Sequence, residues 1–289
     1  MAISYLCIDD EEPAPLNALL DRLRRQSGNL EILLERPLAF DSEVDRIERS
    51  PVDGIILDLR LDEVPLASGD RIGYRAGSLA QELRTRMTEG RLRPFPIVLW
   101  SIDSKLRESY WNDETTHDLF DKIYYKSQVV KSANLVAVEL EALAKGFQEI
   151  GALVQAKKSL VSILGLSNAE AASLDPRIGE PMRESRRTPV HEYSRYIKKE
   201  LIDNPGPLVS DELLAARLGI SREDSEDWLP LCKLLAEFSA YKGPFCQAWK
   251  RWWWFRIESW WDSFSNRPDH FAKPLRQREL IACGDLVAL

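Results

Sequence analysis

Five short apolar segments alternate with helical patterns in the first part of this chain of 289 residues. The apolar segments lie at residues 3–8, 30–34, 52–57, 96–100 and 123–125. Between the first two, leucines recur at the spacing of one helix face, and a long helical pattern follows the last. Continuous apolar strands that alternate with helices are typical of a parallel sheet covered on both faces. The pattern therefore predicts a doubly wound, five-stranded parallel sheet of the α/β class over residues 1–150.

Polar side chains stand where four of these strands end. Asp9 and Asp10 follow the first strand, Asp58 the third, Ser101 the fourth and Lys126 the fifth. The carboxyl ends of parallel strands meet at one edge of a sheet, which is where such folds bind their ligands. Clustered carboxylates with little nitrogen or sulfur around them suit Mg²⁺. The sequence therefore predicts a magnesium site at this edge.

The same strand ends resemble the receiver domain of two-component response regulators. The matching segments, in the order of the family, are Ile8-Asp9-Asp10-Glu11, Ile56-Leu57-Asp58-Leu59, Trp100-Ser101 and Tyr125-Lys126. The resemblance covers roughly residues 1–150 and implies a flavodoxin-like, receiver-like fold. It also implies a signalling role, in which a partner histidine kinase supplies a phosphoryl group.

The resemblance implies a role for three of the strand-end residues in phosphoryl transfer. Asp58 would accept the phosphoryl group, Ser101 would bond a phosphate oxygen, and Lys126 would pair with the phosphoryl charge. Phosphoryl transfer needs an in-line nucleophile and cations that neutralise the equatorial oxygens, and this set provides both. The chain is expected to be a phosphoacceptor and not an enzyme, beyond catalysing its own phosphotransfer and dephosphorylation.

The resemblance also implies how Mg²⁺ would be held. Asp10, Asp58 and the backbone carbonyl of Arg60 would bind the ion, and Asp9 would act through water or as support. No other cofactor is expected. Glu11 and Glu12 are expected to be solvated charges at the start of a helix, where the helix dipole favours acidic side chains.

Three features depart from the family pattern. The segment at residues 61–77 is long, Ser127 stands where a proline is common, and Ile123 occupies the usual position of an aromatic switch residue. Phosphoacceptance is therefore better supported than the usual output through an aromatic side chain. The long loop is a candidate to cover the site, slow hydrolysis or bind a partner.

Composition narrows the class of protein. Residues 1–150 carry 27 acidic and 19 basic residues, whereas the rest of the chain is nearly balanced at 19 and 20. An acidic surface disfavours nucleic acid, because phosphate contacts need clustered cations. No apolar run is long enough to span a membrane, no secretory signal is visible, and the four cysteines show no paired spacing. These observations predict a cytoplasmic protein that binds neither membrane nor nucleic acid.

Residues 151–289 predict an all-α domain. Helices are expected at residues 190–202 and 210–218, and residues 211–221 resemble the first helix and turn of a DNA-binding helix-turn-helix. The second helix would begin at Arg222, and four of the next five residues are acidic. Acidic side chains aimed at DNA phosphates would be repelled, so a helical hairpin is the favoured interpretation.

A tryptophan-rich stretch covers residues 249–261. If it is one helix, six large apolar residues share a face: Trp249, Trp252, Trp253, Ile257, Trp260 and Phe264. A helix in the core is the favoured interpretation, since aromatic stripes at helical spacing usually pack inside. A protein-partner surface is the main alternative, and binding to a membrane interface is the least favoured because the polar face has few basic residues.

Together these features predict a phosphorelay signalling protein whose receiver switches or buffers an output that does not bind DNA. The output would act through a downstream protein partner or through self-association. A bacterial defence system is one setting, because some defence two-component systems use receivers without transcription domains. The alternatives are a DNA-binding transcriptional response regulator and an effector whose C-terminal half is an enzyme, although that half has no recognisable catalytic motif. An output beyond Leu289, in a longer natural protein, also stays open.

Overall fold

The computed structural model describes residues 2–62, 72–102, 118–178, 188–264 and 287–288. The chain forms two compact units. One comprises Met1–Ser159 and Met182–Arg195, and the other comprises Leu160–Pro181 and Tyr196–Leu289. The chain therefore enters the second unit, returns to the first for a short segment, and then enters the second again.

The described strands, in chain order, are β1 (Ile3–Ile8), β2 (Leu30–Glu35), β3 (Gly54–Asp58), β4 (Ile97–Ser101), β5 (Lys122–Tyr125), β6 (Leu208–Val209), β7 (Ile220–Ser221), β8 (Trp252–Trp253) and β9 (Val287–Ala288). The described α-helices are α1 (Pro13–Gln26), α2 (Phe40–Arg49), α3 (Ala76–Thr88), α4 (Lys126–Lys131), α5 (Ala133–Gln155), α6 (Leu160–Ile163), α7 (Asn168–Ser173), α8 (Val190–Arg195), α9 (Asp211–Leu218), α10 (Trp228–Ser239) and α11 (Trp254–Phe264). A 3₁₀ turn covers Pro176–Ile178, and a π-helix covers Tyr196–Asp203.

The first unit contains a five-stranded parallel sheet with the order β2-β1-β3-β4-β5. This order is that of a flavodoxin-like, doubly wound sheet. The predicted fold class and all five predicted strands are therefore confirmed. The helix predicted between Ser101 and about residue 120, and most of the long loop at residues 61–77, lie outside the described residues.

Helices cover both faces of this sheet, because successive strand residues point to opposite sides. One face packs against α2 and α3 in a cluster that includes Leu6, Ile8, Val44, Ile47, Ile55, Leu57, Leu79, Leu83, Ile97 and Leu99. On the other face, the buried hydroxyl of Tyr5 donates a hydrogen bond to the carbonyl of Leu140 in α5 at 2.7 Å. Burial on both faces explains why these strands read as continuous apolar runs.

A buried ion pair fastens α3 to two strands of the sheet. The Nη2 atom of Arg84 lies 2.7 Å from an Asp121 carboxylate oxygen, and both side chains are almost fully buried. The same arginine donates to the carbonyl of Leu119, and Asp121 accepts the backbone N–H of Ile97 at 2.7 Å. Each partner thus has further hydrogen bonds, as a buried ion pair requires.

The returning segment of the first unit is the short helix α8, which packs on α5. Its residues Val190, Tyr193 and Ser194 are buried. Arg195, at its end, forms an ion pair with Asp118 at 3.0 Å. The first unit thus includes a helix, α8, that lies about 40 residues after residue 150 in the sequence.

The second unit is helical, as predicted, and it also contains two pairs of two-residue antiparallel strands, which the sequence pattern did not predict. Strand β6 pairs with β8, and β7 pairs with β9. Ala240 forms a further antiparallel bridge to Trp252. From Tyr196 onward the described elements are, in order, the π-helix, β6, α9, β7, α10, β8, α11 and β9.

The first helix of the helix-turn-helix-like stretch is confirmed, and the predicted start of the second is wrong. Ser210 caps α9, and its hydroxyl accepts the N–H of Leu213 at 3.3 Å. Residues from Arg222 onward form turns, and α10 begins only at Trp228. Proline is tolerated in the first turn of a helix and not in its interior. Pro230 therefore marks the true start.

The prediction of a single helix over the tryptophan-rich stretch is also wrong. Trp252 and Trp253 form β8, and α11 begins at Trp254. Both strand tryptophans are buried, and pairing with β6 has overridden the helical spacing of the sequence. Trp260 and Trp261 are half-buried and pack against the core of this unit. This burial supports the interpretation as a core segment.

Among the described residues, no helix combines the length and the apolar character that crossing a membrane would take.

Candidate functional site

The strand-end residues predicted from the sequence meet at the carboxyl edge of the parallel sheet. Asp9 and Asp10 follow β1, Asp58 ends β3, Ser101 ends β4, and Lys126 begins α4 directly after β5. The parallel register places these ends side by side, because Asp58 pairs with Trp100 and Ser101 pairs with Tyr125. All five side chains are buried. Buried charges at one edge of a sheet are unusual unless they are paired or bind a ligand.

Lys126 forms ion pairs with three carboxylates. Its Nζ atom lies 2.8 Å from Asp9 Oδ2, 2.9 Å from Glu11 Oε1 and 3.0 Å from Asp58 Oδ1. Burial opposes the positive charge, but the Asp58 and Asp9 carboxylates outweigh it and raise the pKa of Lys126 above its usual value. The ammonium is therefore protonated at neutral pH. Its Nζ atom also lies 5.4 Å from the centre of the Trp100 ring.

Both carboxylate oxygens of Asp58 are engaged. Oδ1 faces Lys126, and Oδ2 accepts the backbone N–H of Arg60 at 2.9 Å. Burial raises the pKa of the Asp58 carboxyl to about 6, with a further contribution from the charge of Asp9, while Lys126 and the Arg60 N–H act in the opposite direction. Asp58 is thus largely ionised at neutral pH, as a nucleophile must be, although less readily than an exposed aspartate.

Ser101 contributes a buried hydroxyl to this edge. Its Oγ atom has no hydrogen-bond partner among the described residues, and the same is true of the indole Nε1 of Trp100. Buried polar atoms are usually satisfied, so an unpartnered pair at a candidate site calls for an explanation. A ligand with acceptor oxygens would supply one.

Glu11 belongs to the site, contrary to the sequence-based expectation that it is a solvated charge. Its carboxylate pairs with Lys126, whereas the neighbouring Glu12 is exposed and pairs with Arg36 at 3.1 Å. The expectation for Glu12 holds, and the one for Glu11 is wrong. The sequence offered only one signal, which is that Glu11 lies two residues after a strand-end carboxylate.

Carboxylate oxygens at this edge fit a divalent cation in their chemistry. Asp9, Glu11 and Asp58 each offer one oxygen, and these oxygens lie within 4.8 Å of one another. Asp10 is buried beside them in the chain. Hard oxygen donors of this kind are what Mg²⁺ binds in proteins. The side chain of Arg60 turns to Asp62 at 2.7 Å, so its predicted contribution to a metal would come from the backbone alone.

The position of the usual aromatic switch shows a different arrangement. Ile123 and Tyr125 are half-buried against the core cluster that α2 and α3 share with the sheet. Tyr124 is buried, and its hydroxyl donates to Glu139 of α5 at 2.6 Å. The aromatic side chain nearest to the usual position is therefore held by a hydrogen bond to a helix on the other face of the sheet.

No family model matches the chain, and no curated protein matches it. Solved structures with similarity to it include a mutant form of RitR, with 15% identity over 52% of this chain and 55% of that chain and a TM-score of 0.36. A sensor protein from Polaromonas sp. JS666 shows 18% identity over 50% of this chain and 96% of that chain, with a TM-score of 0.34. The receiver domain of a sensor histidine kinase from Pseudomonas aeruginosa PAO1, solved with a magnesium ion in its active-site cleft, shows 16% identity over 46% of this chain and 95% of that chain, with a TM-score of 0.31.

The chain thus spans about half the length of the RitR structure that it matches and nearly the full length of the single receiver domain. The strand order and the arrangement of helices on both faces stand independently of these similarities. The first unit therefore has a flavodoxin-like, doubly wound fold.

Proposed function

We propose that this chain is a phosphorelay protein in which Asp58 accepts a phosphoryl group from a partner histidine kinase. The observation that carries the proposal is the buried Asp58 carboxylate at the end of β3, 3.0 Å from the ammonium of Lys126. An ionised carboxylate beside a fixed cation, at the edge where doubly wound sheets bind ligands, is the arrangement that phosphoryl transfer needs.

The transfer would exchange one bond to phosphorus for another. A carboxylate oxygen of Asp58 forms the new O–P bond as the N–P bond to the donor histidine breaks, and the electron pair leaves with the imidazole. Lys126 would neutralise charge on the phosphoryl oxygens, and the unpartnered hydroxyl of Ser101 would donate a hydrogen bond to one of them. The product carries a charge of about −2 in place of −1, which changes the electrostatics of this edge.

Magnesium would complete the site. The residues that would hold it are Asp10, Asp58 and the backbone carbonyl of Arg60, with Asp9 acting through water. When bound, Mg²⁺ supplies positive charge to the transferring phosphoryl oxygens. The acidic oxygens gathered at this edge support the proposal, because a divalent cation relieves their mutual repulsion.

The output is proposed to act through protein contacts, by a downstream partner or by self-association. A bacterial defence two-component system is one setting for such a receiver. A DNA-binding response regulator is the second candidate, and one observation favours it. The π-helix, β6, α9, α10, the Ala240 bridge and β8 occur in the order of winged helix-turn-helix domains, although β7 lies between α9 and α10 and α11 follows β8. The exposed side chains of α10 argue against DNA, because they include Leu229 and Leu234 and a single cation, Lys233.

The phosphoacceptor proposal is tested by intact-mass measurement after incubation with Mg²⁺ and acetyl phosphate. The parent chain is expected to gain one phosphate, and Asp58→Asn to gain none. Removal of Mg²⁺ with a chelator should also abolish the adduct. A phosphate adduct that forms in Asp58→Asn at the parental yield would show that Asp58 is not the acceptor. Asp53→Asn, at a buried aspartate near the opposite end of β3, serves as the matched control.

A further inference from the structure

The ammonium of Lys126 stands among three carboxylates in the resting protein. An ammonium group has three donors, and the oxygens of Asp9, Glu11 and Asp58 lie 2.8, 2.9 and 3.0 Å from Nζ. Those same three residues form the cluster whose oxygens could surround a metal ion. The ammonium of Lys126 thus forms ion pairs with three carboxylates before any phosphoryl group arrives.

The three carboxylates differ in how freely they can change partner. Asp9 and Asp58 are buried in strand ends, whereas 36% of the Glu11 side chain is exposed. Glu11 lies in the short segment before α1, and its backbone N–H is fixed to Asp9 Oδ1 at 3.0 Å. If Lys126 moves, Glu11 can be solvated in place, while the loss of a partner at Asp9 or Asp58 would leave a buried charge.

We propose that Glu11 is a positioning residue that holds Lys126 in the resting state and competes with the phosphoryl group for it. This inference rests on the proposed phosphoacceptor function. In the resting protein, Glu11 keeps the ammonium of Lys126 between the segment that precedes α1 and the carboxylate of Asp58. In the phosphorylated protein, Lys126 is drawn to the phosphoryl oxygens, and Glu11 releases it to face solvent.

The proposal predicts effects of opposite sign on two ligands. The negative charge of Glu11 attracts Mg²⁺, so its removal should weaken Mg²⁺ binding. The same charge repels a phosphoryl group and retains the lysine that the group requires, so its removal should strengthen binding of a phosphoryl analogue. A residue with a purely structural role would change both affinities in the same direction, or neither.

The test compares the full chain with Glu11→Gln and Glu12→Gln. Glutamine keeps the size and most hydrogen bonds of glutamate, and Glu12 is the matched control because it is 82% exposed and pairs with Arg36. Mg²⁺ affinity is measured by calorimetry, and the affinity of beryllium fluoride is measured at saturating Mg²⁺. In Glu11→Gln we expect Mg²⁺ to bind about threefold or more weakly and beryllium fluoride about threefold or more tightly. Glu12→Gln should match the parent in both.

The outcomes separate this inference from the proposed function. If Glu11→Gln matches the parent for both ligands, or changes both affinities in one direction, the role given to Glu11 is overturned. If the parent binds no beryllium fluoride, the phosphoacceptor proposal fails, and the Mg²⁺ arm alone decides on Glu11. In that case weaker Mg²⁺ binding by Glu11→Gln supports its place at the cation site, and unchanged binding overturns it.

Discussion

Asp58 places a carboxylate where little water reaches it, and this has a cost for the folded protein. An exposed aspartate titrates near 4, whereas burial raises the pKa of Asp58 to about 6. Ionised Asp58 is therefore less favourable in the folded chain than in the unfolded chain, even with Lys126 beside it. The same burial strengthens its attraction to cations, because the local dielectric is low. The residue that is proposed to react is thus also one that lowers stability.

We expect Asp58→Asn to stabilise the metal-free protein at neutral pH, raising its free energy of unfolding by on the order of 1 kcal/mol. A carboxyl whose pKa is higher in the folded state holds its proton longer there, so stability falls as pH rises from about 4 to about 6. The gain in Asp58→Asn should therefore be small near pH 4, grow across this interval and level off above it. This gain is measured by thermal unfolding of the parent chain and of Asp58→Asn at a series of pH values, in the presence of a chelator. Asp45→Asn, at an exposed pair with Arg49, should show no such profile, and a gain that is equal at pH 4 and pH 7 would contradict the cause given.

At the residue scale, the sequence predicts which side chains meet because strand ends in a parallel sheet converge. Asp9, Asp58 and Lys126 are brought into contact as that rule implies. Glu11 could not be placed in the same way. It lies in a turn before a helix. A local sequence pattern does not distinguish a solvated glutamate from one that forms an ion pair with a lysine more than a hundred residues later in the chain.

A buried arginine adds polar contacts to the apolar packing that holds helix α3 on the sheet. Arg84 reaches from α3 to Asp121, which in turn accepts a backbone hydrogen bond from β4. The same guanidinium also donates to the carbonyls of Leu119 and Phe95, in the segments that lead into β5 and β4. It gives the element a fixed register at the end of the sheet opposite to the acidic site.

Replacing Arg84 with alanine should therefore destabilise the protein strongly. The loss leaves Asp121 buried without its charge partner, which typically costs about 3 kcal/mol or more. Arg49→Ala is the control, since Arg49 is 80% exposed and its pair with Asp45 should contribute less than about 1 kcal/mol. Urea unfolding of the two variants checks the difference. Similar midpoints for both would mean that the buried pair does not anchor α3.

The elements of the second unit were predicted less well than those of the first, for a physical reason. In the first unit the strands have four to six residues, most of them apolar, and their burial is visible in the sequence. In the second unit the strands have two residues each, too few to show a period. Trp252 and Trp253 fit a helical spacing and a strand equally well, and only pairing with Leu208 and Val209 decides between them.

At the scale of the whole molecule, charge argues against DNA as the output. The chain carries a net charge of −7. On α10, the helix that would enter the major groove of DNA, the exposed residues include Leu229 and Leu234, at 68% and 46%, with Lys233 and Glu237 between and after them. Binding to DNA depends on clustered cations that contact phosphates. This face is mainly apolar with balanced charge, which suits a protein contact better than a nucleic acid.

We therefore expect the full chain to show no submicromolar, salt-dependent binding to duplex DNA, with or without beryllium fluoride and Mg²⁺. The measurement is a fluorescence anisotropy titration at several salt concentrations, run beside sedimentation to follow self-association in the same samples. A chain that lacks clustered cations on α10 should show neither tight binding nor a steep salt slope. Tight binding that weakens steeply with salt would favour the DNA-binding alternative, and all the more so if self-association stays unchanged.

The double crossing of the chain between its two units has a consequence for how such a protein can evolve. Helix α8 belongs to the first unit although it follows α6 and α7 of the second, and its buried residues pack on α5. A gene fusion that joins a new segment directly after α5 would remove α8 and leave an apolar patch on the first unit. Recombination at that junction is thereby penalised, so the two halves are expected to be inherited together and not shuffled as independent modules.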